Sequence, residues 1–129
     1  MLSEHFSESE FACHHCNELK INPRLIELLE QLRYNIGGFP LTISSGYRCE
    51  YWNKHEGGAE KSQHIFGNAA DVLCPDGLDS LGEFKWYAYQ LPFDAIGYYE
   101  RGYKGKDGRL HLDVRYGGVT GEEKIYWEG

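Results

Sequence analysis

The residues best suited to chemistry lie between positions 62 and 71, where the chain reads Ser-x-His-x-x-Gly-x-Ala-x-Asp. This run places an imidazole, His64, and a carboxylate, Asp71, on either side of small residues. In a straight strand, side chains an odd number of positions apart face opposite ways. His64 and Asp71 can therefore bind one metal ion only if the chain bends between them. Gly67 is the position where the backbone can turn most freely. The run therefore predicts two metal ligands joined by a turn, with a hydrogen-bonded histidine unrelated to metal as the alternative.

A second polar run spans residues 109–115, where apolar residues alternate with Arg109, His111, Asp113 and Arg115. Such period-two alternation is typical of a strand that has one face against a core. We expect His111 on the polar face, where it could join His64 and Asp71 as a third ligand. Simple solvent exposure of that face is the alternative. Two imidazoles and one carboxylate are a common ligand set for catalytic zinc, which keeps one coordination position open for water.

Two further segments accompany these runs. Residues 45–48 read Ser-Gly-Tyr-Arg, and residues 5–13 read His-Phe-Ser-Glu-Ser-Glu-Phe-Ala-Cys. Together with the two polar runs they resemble the zinc D-alanyl-D-alanine carboxypeptidases, in particular the small, often phage-borne members. That family is related to the VanX-type dipeptidases and shares its fold with the hedgehog signalling domain. The resemblance extends over nearly the whole chain.

The resemblance implies specific roles for five side chains. His64, Asp71 and His111 match the zinc ligands of the family, while Arg48 and Ser62 match positions that hold the terminal carboxylate of the substrate. The role of Arg48 agrees with its chemistry, because a guanidinium can pair with a carboxylate through two parallel hydrogen bonds. The alternatives are a surface salt bridge for Arg48 and a turn or helix cap for Ser62.

One part of the family pattern is absent. Many members carry an acidic general base three residues before the last zinc histidine, where this chain has Gly108. Hydrolysis requires a carboxylate near the attacking water to accept its proton. Glu100 is the first candidate, because it ends the apolar run 95–99 and the hedgehog-type arrangement places a glutamate similarly. Asp107 is the second, since the loop 101–108 could fold over the metal; solvated loop charge is the alternative for both.

Asp113 lies two residues after His111 and therefore shares its face of the strand. Its expected role is to orient a metal ligand, or to pair with Arg115 or Arg48. We do not expect Asp113 to bind the metal directly.

Composition limits the classes of function. The chain has 129 residues and a net charge of −7, which indicates one globular domain over residues 1–129 and argues against nucleic-acid binding. No apolar run is long enough to span a membrane, and the first residues lack the features of a secretory signal peptide. We therefore expect a monomer made in the cytoplasm. Such a protein would reach a cell wall through phage lysis, as an endolysin-like enzyme does, or as a virion component.

The four cysteines allow several interpretations. Cys13 and Cys16 form a Cys-x-x-Cys pair that can bind zinc or undergo redox exchange, whereas Cys49 and Cys74 are isolated in sequence. A structural zinc would need further ligands from a distance, such as Cys49 or a histidine. Without a signal peptide, free thiols or a late disulfide are the default expectation.

The pattern of elements predicts an α+β domain. A helix should begin at Asn22-Pro23 with an apolar stripe facing the core and end at Gly37. Shorter helices are expected at 49–56 and 78–91, and strands at 41–44, 69–73, 93–99 and 109–115. The fold expected is a small antiparallel sheet with helices on one face and zinc on the other, as in the hedgehog and DD-peptidase fold. The glycine-rich C-terminal tail should be loose or packed at an edge.

Three functions are compatible with these features. The first is a zinc peptidase that cleaves the stem peptides of bacterial peptidoglycan, as a D-Ala-D-Ala carboxypeptidase or an endopeptidase. The second is a non-catalytic zinc domain with a structural or wall-binding role in a phage particle, which Gly108 favours. The third is a thiol-based or zinc-ribbon module built on Cys13 and Cys16.

Overall fold

The computed structural model describes residues 1–100, 108–119 and 124–129. It shows an α+β fold in which helices pack against a five-stranded sheet. The helices are α1 (Glu8–Phe11), α2 (Pro23–Asn35), α3 (Glu50–His55) and α4 (Leu81–Tyr89), with a 3-10 turn at Gln63–Phe66. The strands are β1 (Ile43–Ser45), β2 (Ala69–Leu73), β3 (Ala95–Tyr99), β4 (Arg109–Asp113) and β5 (Ile125–Glu128).

The sheet has the order β1-β2-β4-β3-β5, so β4 lies at its centre. The first three pairings in this order are antiparallel, as predicted, but β5 runs parallel to β3. The sheet is therefore mixed rather than purely antiparallel. The C-terminal tail is packed at an edge, and it forms a regular strand there that the sequence analysis did not predict.

The long helix α2 begins and packs as predicted. The Asn22 side chain accepts a hydrogen bond from the backbone N–H of Arg24, and Pro23 occupies the first turn. Its apolar stripe is buried in a core shared with β2, β3, β4 and α4. Within the described ranges, no helix combines the length and the apolar character that a membrane crossing requires.

The two faces of the central strands differ in chemistry. On β4, Leu110 and Leu112 belong to the apolar core, whereas the polar residues Arg109, His111 and Asp113 face the opposite side. All three are nevertheless buried, with Asp113 at 0% exposure. The alternative of a solvent-exposed polar face is therefore wrong, because other parts of the chain cover it.

Strand register brings the predicted ligands together. Asp71 on β2 is paired with His111 on β4, and Gly97 on β3 is paired with His111 from the other side. A Cβ atom on Gly97 would lie 2.6 Å from the ring of Trp127 on β5. Because Gly97 has no side chain, the ring of Trp127 can extend over β3 and approach His111, with ring centroids 5.0 Å apart.

The N-terminal segment is attached to α2 through Glu30, which gives a testable prediction. Burial alone would raise the pKa of Glu30, but hydrogen bonds from Ser3 and His5 lower it below its usual 4.5. A lowered carboxyl pKa stabilises the fold above the unfolded pKa, and this stabilisation is lost as the pH falls through the folded pKa. We expect Glu30→Gln to lower the free energy of unfolding by about 1–3 kcal/mol at pH 7.

Urea unfolding of wild type and Glu30→Gln at several pH values would measure this effect. The matched control is Glu27→Gln on the same helix, whose salt bridge with Arg24 is exposed and should contribute less than about 1 kcal/mol. The difference between wild type and Glu30→Gln should disappear at low pH. A difference that persisted there would contradict the assignment.

Candidate metal centre

A tight turn positions His64 opposite Asp71. Ser62 begins it, because its side chain accepts a hydrogen bond from the backbone N–H of His64 at 3.2 Å. Gly67 ends it with a φ of 76°, a left-handed conformation that favours glycine. The bend predicted at Gly67 is therefore confirmed, and the chain returns directly into β2.

Three ligand atoms converge at this point. Nε2 of His64 lies 3.2 Å from Oδ1 of Asp71, and Nδ1 of His111 lies 3.4 Å from the same oxygen. One atom from each side chain lies within 4.8 Å of the others, and all three residues are buried. The structure thus brings together the three side chains that the sequence predicted as ligands.

In each imidazole, the ring nitrogen that points away from Asp71 has a defined hydrogen-bond partner. Nδ1 of His64 donates to the carbonyl oxygen of Gly46 at 2.8 Å, since a carbonyl can only accept. Nε2 of His111 donates to Oδ2 of Asp113 at 2.7 Å. When both imidazoles are neutral, the remaining nitrogens, which face Asp71, carry the lone pairs that a metal ion requires. Histidines that bind metals are commonly oriented by such partners, so this donor set fits a zinc ion.

Asp113 is in turn held by Arg115. The guanidinium donates to both carboxylate oxygens, at 3.0 Å from Nε and 2.7 Å from Nη2. Burial alone would raise the pKa of Asp113, but the hydrogen bonds from His111 and Arg115 lower it. Asp113 is therefore ionised when it accepts the hydrogen bond from His111, and its partners are His111 and Arg115 rather than Arg48.

The protonation states of the three candidate ligands differ. Burial lowers the pKa of His64, and the attraction of Asp71 only partly opposes this. Burial alone would raise the pKa of Asp71, but His64 and His111 hold it well below its usual value. Burial alone would lower the pKa of His111, but Asp113 and Asp71 raise it. A cation that binds here would meet a neutral His64 and an ionised Asp71, and would displace a proton from His111.

Arg48 is buried beside the cluster. Its guanidinium donates to Oδ2 of Asp71 at 3.1 Å, to Asn53 at 3.2 Å and to Ser45 at 2.9 Å. Nε of Arg109 lies 3.8 Å from the same oxygen of Asp71. The surface salt bridge considered for Arg48 is therefore wrong, because its partner is a buried candidate ligand.

The cluster forms part of the wall of a cavity of about 290 Å³. Arg48 and Ser62 line this cavity as well, so the predicted substrate-binding residues share it with the predicted ligands. Further residues that received no role in the sequence analysis also line it, among them Glu56, Arg109 and Trp127. The polar alternation of residues 109–115 could have indicated Arg109, but no sequence pattern marks Glu56 or Trp127.

The two predicted general bases are placed differently. Glu100 is exposed and lines a separate cavity together with Cys74 and Leu81. It follows Tyr99, whose ring contacts the Arg109 guanidinium, and successive residues of an extended chain face opposite ways. The structure therefore does not bring Glu100 to the cluster. Asp107 lies outside the described residues.

A second group of possible metal ligands lies near the N-terminus. Sulfur atoms of Cys13, Cys16 and Cys49 lie within 4.8 Å of one another, and all four cysteines of the chain are free thiols. This group is separate from the His64–Asp71–His111 cluster, although Cys49 directly follows Arg48 in the chain.

Comparison with known proteins agrees with the geometry of the first cluster. The chain is 39% identical over 44 residues to the zinc D-Ala-D-Ala carboxypeptidase of Streptomyces albus G. That match covers 34% of this chain but only 17% of the length of the relative. A family model described as peptidase M15 matches a much longer part, from residue 4 to residue 113. Since this match includes the turn, Arg48 and Arg109 of the cavity, and all three candidate ligands, the chain belongs to the peptidase M15 family.

Proposed function

We propose that this protein is a zinc peptidase that hydrolyses the stem peptides of bacterial peptidoglycan, at or near a D-Ala-D-Ala terminus. The observation that carries the proposal is the buried His64–Asp71–His111 cluster. In each imidazole of the cluster, the ring nitrogen that points away from Asp71 is hydrogen-bonded, which fixes the orientation of the nitrogen that faces Asp71. Membership of the peptidase M15 family and the partial match to a zinc D-Ala-D-Ala carboxypeptidase support it.

Each ligand in this proposal has a distinct contribution. His64 and His111 supply neutral nitrogens, and Asp71 supplies the negative charge that offsets the cation. Zinc held by these side chains would activate a water molecule and polarise the carbonyl of the peptide. The cluster opens into the cavity of about 290 Å³, so a substrate can approach from that side.

Arg48 is proposed to bind the terminal carboxylate of the substrate. A guanidinium has five N–H donors, and the described contacts with Ser45, Asn53 and Asp71 use three different nitrogen atoms. The remaining N–H bonds can serve a carboxylate in the cavity that Arg48 lines. Ser62 lines the same cavity, and it can add a hydrogen bond from its hydroxyl group while still capping the turn.

Glu56 is proposed as the group that accepts the proton of the attacking water. Besides Asp71, it is the one acidic residue among the described residues that lines the cavity. Asp71 is committed to the cluster, whereas Glu56 is half-buried at the end of α3. Glu56→Gln should reduce kcat by about 10²–10⁴. Glu100→Gln is the control and should leave kcat unchanged. Loss of activity in Glu100→Gln instead of Glu56→Gln, or in Asp107→Asn alone, would show that another carboxylate is the base.

The proposed activity is tested with defined stem peptides that end in D-Ala-D-Ala, read by mass spectrometry. We expect the zinc-loaded protein to release one alanine, as a carboxypeptidase, or to cut between cross-linked stems, as an endopeptidase. His64→Ala should abolish either reaction, whereas His55→Ala, which removes an exposed imidazole outside the cavity, should not. Cleavage by His64→Ala at the wild-type rate would overturn the proposal.

A non-catalytic zinc domain is the second candidate function. Gly108 stands where many family members carry an acidic residue, and Glu100 does not face the cluster. This candidate predicts bound zinc and a loss of stability on chelation, without cleavage of any stem peptide.

A further inference from the structure

We propose that Cys13, Cys16 and Cys49, together with His15, form a second, structural zinc site. This site lies outside the cavity and takes no part in the proposed hydrolysis. Its function would be to fix the chain segment that carries Gly46 and Arg48. The inference does not depend on the proposed peptidase activity.

Two donor–donor spacings match tetrahedral zinc, one between two of the three clustered thiols and one between Cys49 and His15, which lies outside that cluster. The Sγ atoms of Cys13 and Cys49 are 3.7 Å apart, and Nδ1 of His15 lies 3.6 Å from Sγ of Cys49. Zinc bonds of about 2.3 Å to sulfur and about 2.0 Å to nitrogen, at tetrahedral angles, separate two sulfurs by about 3.8 Å and sulfur from nitrogen by about 3.5 Å. A disulfide would instead require about 2.05 Å between sulfurs. Sγ of Cys16 lies within 4.8 Å of the sulfur atoms of both Cys13 and Cys49.

The local backbone supports thiolate ligands. The backbone N–H of Cys49 points at Sγ of Cys13 at 3.5 Å, and the N–H of Trp52 points at Sγ of Cys49 at 3.4 Å. Asn17 adopts a φ of 62°, which folds the chain back after Cys16. Donors directed at sulfur stabilise its ionised form, which is the form that binds a metal.

The position of the cysteines explains what the metal would stabilise. Cys13 and Cys16 follow α1, whereas Cys49 ends the segment 46–49 between β1 and α3. Within that segment, the Gly46 carbonyl accepts a hydrogen bond from Nδ1 of His64, and Arg48 donates a hydrogen bond to Asp71. A metal bound by both parts of the chain would therefore hold two groups that orient the His64–Asp71–His111 cluster. A site with four protein ligands and no open position is typical of structural zinc.

Counting bound metal tests this inference directly. We expect elemental analysis of wild type, purified with zinc and without chelators, to give two zinc ions per chain. His64→Ala and Cys16→Ser should each retain one, and Cys74→Ser, which removes a thiol outside the group, should retain two. The proposal would be overturned if wild type bound a single zinc ion that is lost in His64→Ala. It would also be overturned if Cys16→Ser still bound two zinc ions per chain. A disulfide among the three cysteines, detected by mass spectrometry, would overturn it as well.

Cobalt substitution identifies the ligands even if activity is absent. In the His64→Ala background, cobalt should produce the sulfur-to-metal charge-transfer band that thiolate ligands cause, and Cys49→Ser should remove it. Since Cys49→Ser could disturb folding, His15→Ala provides a milder variant at an exposed position. It should weaken metal binding by at least about tenfold, because even residues that only orient a ligand contribute that much. Unchanged affinity would exclude His15 as the fourth ligand, and absence of the band in the His64→Ala background would exclude the whole site.

Discussion

Asp71→Asn is expected to abolish zinc binding at the His64–His111 pair and every reaction that depends on it. The substitution keeps the shape of the side chain and removes its charge. In wild type, Asp71 contacts both imidazoles and the guanidinium of Arg48, and it is 5% exposed. Without this carboxylate, a divalent cation would enter a buried site that already holds positive charge. Removing one partner of a buried, hydrogen-bonded charge group costs about 3–5 kcal/mol.

The effect of Asp71→Asn can be separated from unfolding. Zinc content and cleavage of stem peptides should both fall to background, while circular dichroism shows whether the fold persists. Asp79→Asn is the matched control, because it makes the same chemical change at an exposed residue away from the cluster. Retention of stoichiometric zinc at the His64–His111 pair by Asp71→Asn would show that the carboxylate is not a ligand.

Gly67→Ala is expected to have the second large effect, on stability and on the geometry of the cluster together. The left-handed backbone at Gly67 costs a residue with a Cβ atom about 1–2 kcal/mol. The new atom would also lie 2.6 Å from the backbone carbon and oxygen of Lys20, so one of the two segments must shift. With about 1–3 kcal/mol for overpacking, we expect a total loss of about 2–5 kcal/mol. The shift would separate His64 from Asp71 and weaken zinc binding.

Gly117→Ala isolates the contribution of the clash. Gly117 also has a positive φ, of 95°, but a Cβ atom there would meet nothing within 4 Å. Urea unfolding should therefore show a loss of about 1–2 kcal/mol for this control, and zinc affinity should be unchanged. Equal stability of the two variants would show that Lys20 moves away at no cost.

Local patterns in the sequence predicted the parts of the site that local physics determines. The alternation on β4 identified the face that carries His111, and the glycine between His64 and Asp71 identified the bend. The asparagine-proline start of α2 was equally clear, because a side-chain cap and a fixed φ act within one turn. Each of these features depends on residues close together in the chain.

Features that depend on distant parts of the chain were not predictable in the same way. The short run at 125–128 becomes a strand only because the edge of β3 is available for pairing. The ring of Trp127 in this strand reaches the cavity only because Gly97 has no side chain. Glu56 lines the cavity through the path of the chain after α3, which no spacing rule describes. Glu100 was expected to face the cluster, but the alternation of the extended chain after Tyr99 places it at another cavity.

The contact between Gly97 and Trp127 has a consequence for how the site is assembled along the chain. All three candidate metal ligands lie between residues 64 and 111, whereas Trp127, whose indole donates to the Tyr99 hydroxyl at 2.6 Å, comes from the edge strand near the C-terminus. The aromatic wall therefore comes from a strand that follows every candidate ligand in the sequence. The candidate ligands and the aromatic part of the cavity wall are encoded in separable stretches of sequence, so substitutions in β5 can alter the shape of the cavity without altering the ligands themselves.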